Sequence, residues 1–504
     1  MPEIKKQHVA LITSFIGNAF ARHNVPTTTA MLSSLTLGNH TLIQANNFPD
    51  MGMKMLVESN SGLIGIAVLT FGELGILPKI IQQIKNNLPK AQIVAGGTPV
   101  SAQVENVIDI PGLDVAVVGD GMRVWPLIVK KYLEGKRVRL VSSEVSGVYA
   151  SGDKIPPIEH LDRYAPFLPL RSFPFPDLDN LELPIIERIK HIKEDSPLNM
   201  LRELVQTPFS GNVMVAIDCL RRCSFCINTL LKNMGNMGHT SMETRSISQI
   251  IQSVKQLVDV YNIPILPVWL QDPDIFYHPE LLVELISNLD EAGIGDRVLF
   301  GIDARVDSLK SALDKYGYDK LRELLKGRFY KIYFAPETLD ERVQASIDKP
   351  FNVDDLALVI EFAADIGAVP YVQLISGLLF DTEDSLTVTR KRILELRDIL
   401  RPFILNIHRN TPIWGTDQYR EALNLGLITK AMKIPDLTHG KALMSTAQGV
   451  SRERLDDWRI ELSRVFYAAD VFINKAMQDP RILLQDEIRN SFLRSTTGMG
   501  TREI

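Results

Sequence analysis

The sequence predicts an α/β protein built from two consecutive series of strand–helix repeats, followed by a helical segment. Short apolar runs of strand length alternate with longer stretches of helical periodicity from residue 8 to about 140, and again from 211 to about 407. Prolines cluster between the two series, at 156, 157, 166, 169, 174 and 176, which indicates a linker. We therefore expect a doubly wound, Rossmann-like sheet in residues 1–145, a linker in 146–205, a partial (β/α)6 barrel of the TIM type in 206–415, and a helical region in 416–504.

The first series alternates strands with helices, and glycines follow its last two strands. The predicted strands are 8–13, 41–44, 63–70, 91–95 and 113–118, and the predicted helices are 27–37, 76–87 and 124–133. Gly96 and Gly97 follow the fourth strand, and Gly119 and Gly121 follow the fifth. Ligands of open parallel sheets bind beyond the carboxyl ends of the strands, where glycine permits a close backbone approach or a positive φ. These glycines therefore indicate a ligand site at that edge of the sheet.

The second series predicts six strands connected by helices, which is the pattern of a (β/α) barrel. The strands are 213–217, 265–270, 297–302, 330–334, 369–375 and 403–407, and the helices are 247–260, 279–293, 307–326, 353–366 and 384–400. Barrel active sites lie at the carboxyl ends of the strands. Residues directly after these strands are therefore the candidates for chemistry.

Composition and charge exclude several classes of protein. The 504 residues are 45% hydrophobic and 23% charged, an ordinary globular balance that argues against a disordered or fibrous chain. With 55 basic against 60 acidic residues the net charge is −5, so no basic field favours nucleic-acid binding. No apolar run reaches the roughly 18 residues of a membrane helix, and the first residues lack an Ala-x-Ala-like cleavage site. We therefore expect a cytoplasmic protein with no membrane span and no nucleic-acid partner.

The three cysteines of the chain lie within eight positions, directly after the first barrel strand. They are Cys219, Cys223 and Cys226, with the spacing C-x3-C-x2-C. Three thiolates on one loop can hold three corners of a metal cluster, and thiolates suit iron–sulfur clusters or zinc. Three ligands rather than four leave one metal open to a substrate or cofactor. The alternatives are a zinc site with His239 as fourth ligand, or three unrelated buried cysteines.

This cysteine loop, with Phe225 before the last cysteine, resembles that of the radical S-adenosylmethionine (SAM) superfamily. The resemblance implies a [4Fe-4S] cluster on Cys219, Cys223 and Cys226, with SAM chelating the fourth iron through its amino and carboxylate groups. One electron from a flavodoxin- or ferredoxin-type donor then cleaves SAM to methionine and a 5′-deoxyadenosyl radical. The substrate is expected to be a small molecule or a peptide.

Other residues at the ends of predicted barrel strands resemble positions of the same superfamily that contact SAM. QDPDIF at 271–276 resembles a D-D-x-F segment, and APET at 335–338 resembles a G-x-E-S turn. ISGL at 375–378 resembles the start of an I-x-G-L-P-G-E-T segment, but the Pro-Gly-Glu of that segment is missing here. The alternative for the first of these is a helix-capping loop. The implied cofactor-binding residues are Asp272, Asp274, Arg305, Glu337, Ser376 and Gly377.

The order of a doubly wound sheet before this barrel resembles the cobalamin-binding branch of the superfamily. VAGGTP at 94–99 and DVAVVGDG at 114–121 match two of its segments. The resemblance implies that cobalamin contacts Thr70, Gly96, Gly97 and Gly119. The D-x-H-x-x-G signature is absent from residues 1–140, so no histidine is expected on the lower face of the cobalt. The alternative is a sheet that packs on the barrel and binds nothing.

The cysteine count narrows the reaction. If all three thiols bind the cluster, none remains for an auxiliary cluster, for hydrogen-atom donation or for carrying a methyl group. The reaction that we expect is cobalamin-dependent C-methylation of an unactivated carbon. One alternative is a rearrangement, dehydration or epimerase-type hydrogen transfer without cobalamin, in which Tyr333 or Tyr371 could donate hydrogen. The other is a zinc-stabilised binding protein without catalysis.

Overall fold

The structure is a computed structural model. It describes residues 7–13, 27–44, 50–69, 71–157, 160, 163–165, 168–178, 211–217, 219–229, 243–429 and 444–479. Thr70 and His239 lie outside the described residues. None of the described helices is long and apolar enough to span a membrane.

The first sheet has six strands in the order β2-β1-β3-β4-β5-β6. The strands are β1 His8–Thr13, β2 Asn39–Gln44, β3 Leu63–Ala67, β4 Gln92–Gly96, β5 Val115–Val117 and β6 Val148–Tyr149. The first five are parallel, whereas β6 is antiparallel to β5 and lies beyond residue 145, where we expected the sheet to end. The order 2-1-3-4-5 is that of a doubly wound sheet with its switch point between β1 and β3.

Helices connect the parallel strands of this sheet. They are α1 Thr27–Ser34, α2 Asp50–Glu58, α3 Phe71–Asn87, α4 Thr98–Ala102, α5 Val104–Val107 and α6 Gly121–Leu133. The Asp120 side chain starts α6, because it accepts a hydrogen bond from the Met122 N–H at 2.8 Å. The helix then buries Trp125, Ile128 and Val129 against the sheet. The predicted strand–helix alternation is therefore confirmed.

The second sheet has six parallel strands in the order of the chain, β7 to β12. They are β7 Gly211–Met214, β8 Leu266–Gln271, β9 Val298–Ala304, β10 Phe329–Glu337, β11 Val369–Ser376 and β12 Ile404–Arg409. Their neighbours in sequence are α7 Ile247–Tyr261, α8 Pro279–Glu291, α9 Val306–Tyr316, α10 Tyr318–Leu325, α11 Glu341–Ser346, α12 Val353–Asp365 and α13 Glu383–Ile399. No pairing between β7 and β12 occurs among the described residues. The sheet is therefore an open, partial barrel, as predicted.

The described part of the C-terminal region is helical, in agreement with the sequence. Its helices are α14 Asp417–Asn424, α15 Arg452–Tyr467 and α16 Asp470–Met477. Helix α15 packs beside β11 and β12, at the open end of the second sheet. The Ser376 hydroxyl donates to the Leu455 carbonyl at 3.0 Å, and the Tyr467 hydroxyl bonds the backbone of Leu405.

Residues 168–178 of the predicted linker lie against both sheets. On the side of the first sheet, the Asp177 N–H donates to the Ala30 carbonyl of α1 at 3.0 Å. On the side of the barrel, the buried Arg245 guanidinium donates to the Phe173 and Pro174 carbonyls at 2.7 and 2.9 Å. This segment therefore connects the two halves of the molecule through hydrogen bonds and not only through the chain.

Candidate functional site

The cysteine loop follows β7 at the carboxyl end of the barrel strands. Cys223 is buried, and Cys219 and Cys226 are half-buried. Hydrogen bonds hold the loop in place: the Ser224 N–H donates to the Ile347 carbonyl at 3.1 Å, and the Thr229 hydroxyl donates to the Cys223 carbonyl at 2.9 Å. The bond from Ser224 therefore fixes the loop that carries the thiols to the residue Ile347 of the barrel.

The three thiols lie close enough to influence one another electrostatically. Burial raises the pKa of the Cys226 thiol to about 11, and the neighbouring Cys223 and Cys219 add to this increase. Burial also raises the pKa of the Cys219 thiol. Both thiols therefore favour the protonated form unless a metal replaces the proton.

Two cationic side chains accompany the thiols. The Arg305 Nη1 lies 3.7 Å from the Cys223 sulfur, and its Nε donates to Asp307 at 2.9 Å. The Lys349 Nζ lies 5.9 Å from the centre of the Phe225 ring and lowers the pKa of Cys226. These cations stabilise negative charge on thiolate ligands.

No three His, Cys, Asp or Glu side chains among the described residues converge on one point that could hold a single metal ion. A single zinc ion needs such convergence, whereas the thiolates of a [4Fe-4S] cluster each bind a different iron. His239, the suggested fourth zinc ligand, lies outside the described residues.

Asp272 and Asp274 both lie buried beyond the end of β8, but their oxygens are used differently. Asp274 accepts from the Arg305 N–H at 3.2 Å through one oxygen and from the Ser308 hydroxyl at 2.5 Å through the other. Asp272 accepts from the Asp274 N–H at 2.9 Å through Oδ1. Its Oδ2 receives no hydrogen bond from the described residues. Asp272 therefore keeps an oxygen for a ligand, and Asp274 positions Arg305.

Glu337 ends β10 and forms a buried ion pair with Lys349. The Lys349 Nζ donates to the Glu337 Oε1 at 2.7 Å, and both side chains are close to nine-tenths buried. Glu337 has a φ of 66°, a left-handed conformation that is unusual for a residue other than glycine.

Ser376 and Gly377, at the end of β11, are engaged mainly by protein groups. The Ser376 hydroxyl donates to Leu455, and the Gly377 N–H donates to the Asp381 carboxyl at 3.1 Å. Gly377 has a φ of 87°, and a Cβ there would lie 2.8 Å from the Leu455 side chain. These two residues therefore fix the position of α15, and the structure offers SAM at most their backbone.

A second candidate site lies at the carboxyl edge of the first sheet. A largely apolar cavity of about 250 Å³ opens there, and it is also lined by residues at the end of β7. Its lining includes Gly65, Gly96, Gly97, Gly119, Trp125, Met214 and Ile217. Ile217 is two residues before Cys219, so this cavity adjoins the cysteine loop.

The glycines of this edge have different roles. Gly97 and Gly119 have φ values of 119° and 95°, and a Cβ on them would lie 2.1 Å from the Val68 oxygen and 2.5 Å from the Ala165 oxygen. The fold itself therefore requires glycine at both positions. Gly96 lacks a positive φ, and only Val117 approaches its side-chain position, at an ordinary 3.5 Å.

Two further residues that face into the barrel, Asp303 on β9 and Lys331 on β10, have no strong signal in the sequence. Asp303 lies beside Tyr333 in the strand register, and Lys331 lies beside Gly301. Only the alternation of side chains along each strand could have indicated their direction. Tyr333 and Tyr371, considered above as hydrogen donors, stack at 4.4 Å between ring centres.

Comparison with solved structures places this architecture among known folds. The cobalamin-dependent SAM radical enzyme OxsB, with aqua-cobalamin and SAM bound, matches 98% of this chain and 71% of its own, at 16% identity and a TM-score of 0.68. The radical SAM methyltransferase TsrM from Kitasatospora setae, with tryptophan and a SAM analogue bound, matches 89% of this chain and 83% of its own, at 12% identity and a TM-score of 0.60. A second TsrM structure, with cobalamin and a [4Fe-4S] cluster bound, has a TM-score of 0.59 at the same identity.

No family model and no curated protein sequence matches the chain. The structural matches nevertheless extend over both sheets. The chain therefore has the fold of cobalamin-dependent radical SAM enzymes, with the domain order that the sequence predicted.

Proposed function

We propose that this chain is a radical SAM enzyme that holds a [4Fe-4S] cluster on Cys219, Cys223 and Cys226. The observation that carries this proposal is the cysteine loop itself: three thiols within eight positions of the chain after β7, with Arg305 3.7 Å from the Cys223 sulfur. The cluster would supply the electron that cleaves SAM to methionine and a 5′-deoxyadenosyl radical. A cytoplasmic flavodoxin- or ferredoxin-type protein would reduce it.

The carboxyls beside the loop support a SAM site. Asp272 keeps an oxygen for the SAM ammonium group, and Glu337 is held by Lys349 at the end of the next strand but one. Arg305 is positioned by Asp274 and Asp307, and it would face the SAM carboxylate or the cluster. Ser376 and Gly377 would border this site, where their carbonyls already accept from the Asn410 N–H and side-chain amide at 2.9 and 2.7 Å.

We propose cobalamin as the ligand of the cavity at the edge of the first sheet. The cavity of about 250 Å³ fits a ring-sized group such as the nucleotide tail, and Ile217, which lines it, is two residues before Cys219. Gly96 permits a close approach, and Gly97 and Gly119 shape the turns. Thr70, which lies outside the described residues, would also contact the cofactor. Cobalamin would supply a methyl group close to the cysteine loop, and the chain would then methylate an unactivated carbon of its substrate.

The first experiment measures cofactors. Protein expressed with cobalamin and purified anaerobically should contain about four irons, four sulfides and one corrinoid per chain. Four irons without corrinoid would support radical SAM chemistry and reject cobalamin in favour of a rearrangement, dehydration or hydrogen transfer. Zinc without iron would reject the whole proposal.

The second experiment removes one thiol. Cys223→Ala should lose most of the bound iron and all reductive cleavage of SAM, measured as 5′-deoxyadenosine released after addition of dithionite. Ser224→Ala, which changes the adjacent side chain without removing a ligand, is the control and should keep both. Cleavage of SAM by the Cys223→Ala protein would contradict the cluster assignment.

A further inference from the structure

The inner face of the second sheet is unusually polar. Side chains alternate along each strand, and the buried apolar ones, such as Phe300, Ile302 and Ile332, pack with the helices. The interiors of complete (β/α)8 barrels are filled by branched aliphatic residues. Here the opposite face carries Trp269, Gln271, Asp303, Lys331, Tyr333, Gln373 and Asn406, all only partly buried. This composition is that of a binding surface and not of a packed core.

Aromatic rings around Lys331 form the floor of this inner face. Its ammonium lies between 5.1 and 5.9 Å from the ring centres of Trp269, Tyr330, Tyr333 and Tyr371. A β-bulge between Phe329 and Lys331 turns Tyr330 and Lys331 to the same side. Lys331 is therefore engaged by the protein through cation–π contacts.

Gly301 allows this floor to form. A Cβ on Gly301 would lie 2.5 Å from the Trp269 ring and 2.7 Å from the Tyr330 hydroxyl. Because Gly301 has no side chain, the Trp269 ring covers the strand and meets Tyr333 edge-on, with 5.4 Å between ring centres. The Trp269 and Tyr333 side chains are both only partly buried.

Asp303 lies between this floor and the cysteine loop. It is two residues before Arg305 on β9, so its Cα lies about 7 Å deeper in the barrel than that of Arg305. No described residue forms a hydrogen bond with its carboxyl group, and the side chain is only partly buried. A carboxylate that is partly removed from water and lacks such a partner suits a ligand that supplies one.

The surrounding charges favour a cation as that ligand. Burial raises the pKa of the Asp303 carboxyl to about 7, with Asp274 and Glu337 adding to the increase and Lys349 and Lys331 opposing it. Lys349 is paired with Glu337, and Lys331 lies among the rings. With the Asp303 carboxyl ionised, it and these four groups carry three negative and two positive charges, a net charge of −1.

We propose that Asp303 binds the substrate and that the substrate is a small molecule with an ammonium group. The ammonium group pairs with the Asp303 carboxylate, and the apolar part of the substrate rests on Trp269 and Tyr333. The inference rests on the proposed function, because it takes the inner face of the barrel as the substrate site. It adds the chemical class of the substrate and the residue that selects it.

The test uses 2-phenylethylamine as a probe, because it combines an ammonium group with an aromatic ring. Binding to the anaerobic holoenzyme with saturating SAM is measured by saturation-transfer NMR at pH 8. The wild-type protein should bind the amine, and 2-phenylethanol and 3-phenylpropionate should bind at least tenfold more weakly. Asp303→Asn should weaken amine binding by about tenfold to a hundredfold, as expected for a hydrogen bond to a charged group. Asp314→Asn, the same change at an exposed site on α9, is the control.

The pH dependence of amine binding by the wild-type protein tests the inference without any substitution. The amine stays protonated between pH 6 and 8, whereas Asp303 gains a proton as the pH falls through about 7. Amine affinity of the wild-type protein should therefore fall towards pH 6. A flat profile, equal binding by Asp303→Asn, or no binding of the amine by wild-type protein would overturn the inference. Failure of the wild-type protein to cleave SAM would instead overturn the proposed function.

Discussion

Glu337 combines backbone strain with a buried charge. A residue other than glycine in the left-handed region carries a cost of about 1–3 kcal/mol, and such conformations persist where the surrounding structure enforces them. Lys349, 2.7 Å away, provides the neutralising partner of its carboxylate. The strained turn therefore depends on a residue that is twelve positions further along the chain.

The first prediction concerns this ion pair. Lys349→Met leaves the buried Glu337 carboxylate without its partner, and the loss of one partner of a buried pair costs about 3–5 kcal/mol. The midpoint of urea unfolding of the cluster-free protein should fall accordingly. Lys310→Met, which breaks the exposed pair with Asp314, should change it little.

The same pair can be tested by removing both charges. Lys349→Met combined with Glu337→Gln should recover part of the stability lost in Lys349→Met alone, because no uncompensated charge remains. If the double variant is as unstable as the sum of the two single variants, the pair contributes no coupling and this interpretation of the turn is wrong.

At the scale of elements, α15 completes the open edge of the partial barrel. Leu405 on β12 presents its N–H and carbonyl on the side away from β11, where no further strand pairs among the described residues. The Tyr467 hydroxyl of α15 donates to the Leu405 carbonyl at 2.6 Å and accepts from its N–H at 2.9 Å. One phenol thus replaces the hydrogen bonds that a seventh strand would make at this residue.

The second prediction compares the same substitution at two tyrosines. Tyr467→Phe leaves two buried backbone groups unpaired, each costing about 1–3 kcal/mol, so the urea midpoint should fall clearly. Tyr419 on α14 has a buried hydroxyl with no hydrogen-bond partner among the described residues. Tyr419→Phe should therefore be neutral or stabilising. Equal losses in the two variants would contradict this account of the sheet edge.

At the scale of the whole molecule, residues 168–178 join the two sheets beside the cavity that we assign to cobalamin. Phe173 lines that cavity, and its carbonyl accepts from Arg245 of the barrel. Asp177 in the same segment accepts from the Ser33 hydroxyl of α1 at 2.8 Å. The relative position of the two sheets, and with it the shape of the cavity, therefore depends on this short segment.

The third prediction follows from that arrangement. Arg245→Met removes two hydrogen bonds to the segment from a side chain that is 1% exposed. Calorimetry should show one unfolding transition for the wild-type protein and two separated transitions for the variant, because the halves then unfold independently. Arg342→Met is the control, because it makes the same change at a side chain that is 72% exposed and pairs with Asp340 within the barrel. A single transition in Arg245→Met would show that other contacts couple the halves.

Much of the fold followed from local patterns, and some elements did not. Strands such as β1, β3 and β4 are nearly continuous apolar runs, which are visible without any knowledge of neighbours. Strand β6 has two residues and α2 carries no clear apolar stripe in sequence, so neither was predicted. Their formation depends on partners elsewhere in the chain, such as β5, which pairs with β6.

The sequence by itself determined the order of the elements and the position of the cysteines after a strand, because periodicity and spacing are properties of neighbouring residues. Only the tertiary structure distinguished Asp272 from Asp274, since the difference depends on which oxygens Arg305 and Ser308 occupy. It also brought Asp303 above the ring cluster of Lys331 from separate strands. Such contacts join residues that are distant in sequence, and no local pattern encodes them.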